Sequence, residues 1–229
     1  MIANFRPTGS VPMALLTLAF LVCSGCSPAP NADEPAVDQA TLTRFARELR
    51  HEDLSVRSGA RLALTRRGAI AVPYLRDALL DKNREVRLEA VVGLSNMKDP
   101  ERVEALPELV RTLQDDWWLI RLNALIALGS MGPPARRTAE AVQQLMTDEK
   151  SSVRELASET LVRLQGVEAL PHLIEALKDD RSRPHAAQAL GKLGPQAVPA
   201  LREWSASRNP VIQKAVTDAL ARIEGVPVD

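Results

Sequence analysis

The sequence predicts an all-α chain built from about six stacked helix pairs, and three observations predict it. An aliphatic–small–aliphatic stripe at helical spacing recurs down the chain. A proline stands at a fixed distance before most of those stripes. The composition is also one-sided, with 45% hydrophobic but only 3% aromatic residues among 229. Ala, Leu and Val favour helix, whereas a β-sandwich of this size draws on tyrosine, phenylalanine and tryptophan. Basic and acidic residues each total 29, so the chain lacks the basic excess with which a nucleic-acid binder releases counterions. Nucleic acid is therefore not an expected partner. Cys23 and Cys26 are the two cysteines, and their position near the start leaves the rest without a disulfide framework.

The first element, residues 1–26, reads as an export signal. Arg6 and the amino terminus are its positive groups, an apolar stretch runs from Val11 to Cys23, and Ser24-Gly25-Cys26 follows. A positive tip, a short apolar run and small residues make a secretory signal, and the run falls short of the ~20 residues that span a bilayer. Ser24 and Gly25 before Cys26 resemble the lipobox of bacterial lipoproteins, with Cys23 standing where that family has leucine. The resemblance implies cleavage before Cys26 and acylation of that cysteine. With Ser27 next, it also implies sorting to the periplasmic face of the outer membrane. Two or three acyl chains, at about 0.8 kcal/mol per CH₂, make a lasting anchor. The alternative is plain secretion with cleavage near Ala29. Losing Arg6 leaves 28 basic against 29 acidic residues, a net charge of −1. Residues 27–37 (SPAPNADEPAV) then hold three prolines and no apolar period, the composition of an extended tether.

From residue 38 to 229 a single pattern repeats. Val56-Arg57, Val86-Arg87, Ile120-Arg121 and Val153-Arg154 each open a stripe, and Ser182-Arg183 and Ile212-Gln213 take the same place with one member changed. Four residues on stand Ala60, Ala90, Ala124, Ala157, Ala186 and Val216, and eight residues on stand Leu64, Leu94, Leu128, Leu161, Leu190 and Leu220. Such spacing puts all three positions on one helical face. Pro73, Pro107 and Pro199 precede the Arg/Gln position by fourteen residues, Glu140 replaces proline in the fourth unit, and Pro171 precedes Arg183 by twelve. Proline is tolerated in the first turn of a helix, so each unit reads as helix A, a turn and helix B. Asp81, Asp115, Asp148 and Asp179 fall eight residues after the proline or its substitute, where a carboxylate is expected to accept from the N–H groups opening helix B. Gly-bearing links such as Gly129-Ser130-Met131-Gly132 and Gly191-Lys192-Leu193-Gly194 lead to the next unit.

Pro73, Asp81, Val86 and Arg87, then Pro107, Asp115, Ile120 and Arg121, stand in the order and spacing of the HEAT repeat, and this chain resembles the short bacterial HEAT-like units of phycobilisome lyases. Ala186-Ala187-Gln188-Ala189-Leu190-Gly191 is similar to that family's closing run. The resemblance spans residues 38–225 as six units, with Thr43 in place of proline in a first unit that suits an N-terminal cap. It implies a right-handed α-α superhelix with B helices on the concave side. It also implies that Arg57, Arg87, Arg121 and Arg154 pair with acids of their own or adjacent units, Asp81, Asp115 and Asp148 among them, as a structural ladder.

The residues that could carry chemistry are sparse. His51, His172 and His185 are the three histidines, and His51-Glu52 is a lone His-Glu dipeptide. The HEAT-like di-iron enzyme deoxyhypusine hydroxylase is built on several such pairs, and one pair is too few for its ligand set. With no Gly-rich phosphate loop either, the expectation is a non-enzymatic chain without metal or cofactor. The alternative is an enzyme or enzyme accessory resembling the bilin lyases or that hydroxylase.

The B helices offer a different clue. Leu88, Val91, Val92, Leu122, Leu125 and Ile126 add apolar residues beyond the stripe in units two and three, where units four and six carry Glu155, Ser158, Glu159, Lys214, Thr217 and Asp218. Trp117 and Trp118 open the third B helix. Tryptophan clustered beside aliphatic side chains is the composition of a binding hot spot. The competing explanation is that these residues thicken the core. The functional expectation is a membrane-tethered scaffold of the cell envelope that binds another protein or peptide, with Trp118 as an anchor.

Overall fold

The computed structural model describes residues 38–98 and 101–225. The export signal with Cys26 and the tether at 27–37 lie outside those residues. Among the described residues the chain is helical without a strand, an α-solenoid of six helix pairs. The first unit pairs α1 (Gln39–Glu48) with α2 (Leu54–Arg66), and the second α3 (Val72–Ala78) with α4 (Arg84–Ser95). A short α5 (Glu101–Glu104), which the repeat pattern does not predict, precedes the third pair, α6 (Leu106–Thr112) and α7 (Trp118–Met131). Then follow α8 (Ala139–Gln144) with α9 (Ser151–Gln165), α10 (Leu170–Ala176) with α11 (Arg183–Leu190), and α12 (Val198–Trp204) with α13 (Pro210–Glu224).

The prolines explain where the A helices begin. Pro73, Pro107, Pro171 and Pro199 each stand second in their helix, where the missing N–H has no helical acceptor to lose. The glycines explain where B helices end. Gly132 and Gly166 follow α7 and α9 with φ of 60° and 59°, a backbone conformation that side chains with a Cβ resist. The shortened turn of the fifth unit yields the eight-residue α11, whose stripe opens on buried Ser182. Its Oγ donates to the Met146 carbonyl at 2.7 Å, so the hydroxyl that replaces valine there is satisfied by the unit before.

Stacking follows from the stripes. Each B helix packs on the next, α2 on α4, α4 on α7, α7 on α9, α9 on α11 and α11 on α13. Leu64, Leu94, Leu128, Leu161 and Leu190 are fully buried, while Leu220 in the sixth unit is half-buried, with one neighbouring B helix among the described residues. A lone pair leaves one face of its stripe wet, and adjacency is what removes it from water.

Candidate protein-binding face

The arginines form the frame that holds one unit to the next. In Arg87, Nη1 donates to the carbonyls of Asp81 and Lys82 in its own turn at 3.0 and 3.2 Å. Its Nε and Nη2 grip both carboxylate oxygens of Asp115 in the next unit at 2.7 and 3.0 Å. Arg121 repeats the arrangement one unit on, with Asp115 and Asp116 carbonyls on one side and Asp148 on the other. This planar fork suits guanidinium and no other cation. Burial raises the Asp115 carboxyl, but hydrogen bonds from Arg87 and the Trp117 N–H outweigh it and hold the group below its ordinary range.

In the first and fourth units the same arginines behave differently. Arg57 keeps its own-turn carbonyls, His51 and Glu52, but lies 3.8 Å from Glu85 and does not reach Asp81. Arg50, from the first turn, takes Asp81 instead at 2.8 Å. Arg154 donates only to carbonyls, those of Asp148, Glu149 and Arg181. The aspartates also differ from expectation. Asp81, Asp115 and Asp148 accept from the N–H two residues on, at Asn83, Trp117 and Lys150, which precede helix B. They close the turn and leave the first helical N–H groups alone. That task falls to Asn83 in α4, and to Asp53 and Asn209 in α2 and α13.

On this frame the B helices carry an apolar row. Val91 and Leu125 do not belong to it, because both are fully buried between neighbouring helices and form core. Leu88, Val92, Leu122, Trp117 and Trp118 are half-buried, resting on the core with one side open, and Ile126 is half-buried as well. Trp117 precedes α7 and lies under the Arg84 guanidinium, 4.8 Å from ring centre to Cζ, a cation–π contact that fixes its ring. Sequence reasoning missed two members of the row. Leu54 and Leu62 on α2 are 59% and 44% exposed, more open than any expected member. The signal was present: Leu62 stands six residues after Val56 as Val92 and Ile126 stand after Val86 and Ile120, and Leu54 occupies the place of Trp118.

The histidines are dispersed. His51 lies in the α1–α2 turn, where Nδ1 accepts from the Asp53 N–H at 3.0 Å. His172 is on α10, and His185 on α11 faces the Ser151 hydroxyl at 3.0 Å. Burial, then the Arg154 charge, depress the His185 pKa.

Comparisons with known proteins agree with this architecture. The profile of the family described as HEAT repeats matches residues 42–118 and 106–189, and that described as PBS lyase HEAT-like repeat matches residues 185–203. No curated protein matches the chain significantly. Among solved structures, an engineered protein superposes with a TM-score of 0.51 at 21% identity, over 82% of this chain and 100% of its own. The complex of CpcE and CpcF of phycocyanin lyase from Nostoc sp. PCC7120 gives 0.51 at 20%, covering 86% of this chain and 81% of the other. Human deoxyhypusine hydroxylase gives 0.40 at 19%, over 82% and 86% of the two chains, a likeness too slight to carry an argument. At these identities the superpositions speak to fold alone.

Proposed function

The chain belongs to the HEAT-repeat family, and from that premise we propose that it is a non-catalytic scaffold whose B-helix face receives another protein or a peptide. The observation that carries the reading is the open apolar row: Leu54 and Leu62, then Leu88 and Val92, then Trp118, Leu122 and Ile126, at matching positions on three adjacent helices. A soluble surface scatters its apolar residues singly, and a contiguous band is the mark of an interaction site. The band rides on helices tied to their neighbours, α2 to α4 by Arg61 and Glu89 and the next two by the arginine forks, so a partner would meet a face already organised and would not have to order a loop.

The place of this scaffold is the second part of the proposal. Ser24-Gly25-Cys26 supports a lipid anchor on Cys26 at the cell envelope, with residues 27–37 as the tether that gives the solenoid reach. Two experiments test the whole. Mass spectrometry of membrane-extracted protein is expected to show acyl additions at Cys26, and an unmodified cysteine sinks the anchor. Affinity capture from envelope extracts is expected to lose its partner in Leu54→Ser/Leu62→Ser protein of unchanged helicity. Capture that survives those changes removes the face.

A further inference from the structure

The chemistry of the occupant can be read from where the apolar row stops. Two places on each B helix, the second and sixth after the stripe's opening residue, lie one helical turn apart and cross all six units in register. They hold Ser58 and Leu62, Leu88 and Val92, then Leu122 and Ile126; in the fourth unit they hold Glu155 and Glu159. Two charged residues beside the apolar part, Glu89 and Arg84, are already engaged, while Arg66, four residues beyond Leu62, is exposed and makes no hydrogen bond or ion pair among the described residues. Glu89 receives Arg61 at 2.7 Å and the Ser58 hydroxyl at 3.2 Å, and Arg84 stacks on Trp117. At the boundary the two carboxylates differ. Glu159 is held by Lys192 and faces Arg163 at 3.8 Å. Glu155 is exposed and, among the described residues, makes no hydrogen bond or ion pair.

Resting on the docking reading above, we infer that the occupant is a peptide segment of apolar-then-basic character, its apolar side chains covering α2, α4 and α7 and a lysine or arginine reaching Glu155 on α9. Helix axes packed side by side stand about 8–10 Å apart, and an extended peptide advances about 3.3 Å per residue. The basic residue therefore falls about three positions beyond the last apolar anchor, in a segment of roughly ten residues. An acidic residue there would be repelled by Glu155: Lys192 and Arg163 already serve Glu159, and His185, the base that senses Glu155, has its protonated form disfavoured by burial and by the Arg154 charge.

Selection of a randomised ten-residue displayed library against the folded chain tests this, run in parallel on Glu155→Lys and Leu62→Asp proteins. Both altered side chains are exposed, so the variants are expected to keep the wild-type helical signal. Wild-type protein should enrich apolar segments ending in lysine or arginine. Replacing that base by glutamate in a selected peptide should weaken binding roughly fivefold, the scale of an exposed charge pair reversed. Glu155→Lys should turn the preference towards acidic ends. Enriched apolar peptides with no charge preference, or a preference that Glu155→Lys leaves unchanged, overturn the inference while the docking face stands. Enrichment indifferent to Leu62→Asp, or none at all, removes the face and the inference together. A dimer of the wild-type chain in sedimentation, dissolved by Leu62→Asp, assigns the row to a second copy and also overturns it.

Discussion

Arg121 on α7 and Asp148 in the α8–α9 turn share two hydrogen bonds across the boundary of the third and fourth units, Nε to Oδ2 at 2.8 Å and Nη2 to Oδ1 at 2.9 Å. Both side chains are more than nine-tenths buried. Removing one partner of such a pair strands the other's charge, at a cost of about 3–5 kcal/mol. Asp148→Ala is therefore expected to lower the denaturation midpoint strongly. Asp77→Ala supplies the control. Asp77 also meets an arginine, Arg50 at 3.0 Å, but its side chain is 74% exposed, and exposed pairs contribute about 0–1 kcal/mol. Equal losses in urea unfolding would refute the idea that the forks hold the stack.

Acid should release the same frame. The carboxyl of Asp115 is depressed below its ordinary value of 3.8 in the folded chain, so the unfolded chain takes up this proton first. The resulting stability is fully present above about pH 4 and is lost as pH falls through the folded value. Thermal unfolding followed from about pH 6 to pH 2 is expected to drop steeply at the acid end. In Asp115→Asn, already weaker at neutral pH, the drop should be shallower. Parallel curves for the two proteins would place the acid sensitivity elsewhere.

The left-handed glycines give a third test. Gly132 sits at φ 60° and ψ −137°, a region that only glycine enters freely and that costs other residues of order 1–3 kcal/mol. Gly132→Ala should destabilise by that amount. Gly59, inside α2, has nothing within 4 Å of an added Cβ, so Gly59→Ala should stabilise by about 0.5–1 kcal/mol. Opposite signs in chemical denaturation are the expected outcome.

How much of this was legible in the sequence follows from what repeats. Pro73, Pro107, Pro171 and Pro199 mark helix starts because a local steric rule acts alike in each unit. The ladder was legible in residue type but not in partner. Arg57 and Arg87 read identically, yet Arg50 takes Asp81 while Arg87 takes Asp115. Which guanidinium arrives depends on Arg50, whose place in the next three units is taken by Leu80, Gln114 and Thr147. Val91 and Val92 show the same limit. They are adjacent and both apolar, but one is fully buried and the other half-buried, because neighbouring residues point about 100° apart around a helix. Leu54 and Leu62 stand out less in the sequence, because Ser58 interrupts the apolar positions between them.

The solenoid premise itself is open to measurement through Leu128 and Leu220, the same stripe position in a central and a terminal unit. Leu128 is fully buried on α7, with α4 on one side and α9 on the other. Truncation there removes contacts on both sides, and Leu128→Ala is expected to cost about 2–5 kcal/mol. Leu220 on α13 has a neighbouring B helix on one side alone among the described residues and stays half-buried, so Leu220→Ala should cost less than that range. In a closed globule the two leucines would be equivalent members of one core. In a row of units the stability is a sum over nearest neighbours, and losing a central contact weakens two interfaces where losing a terminal one weakens one. Urea unfolding of the pair decides between them: a larger loss at Leu128 supports the row, and equal losses contradict it.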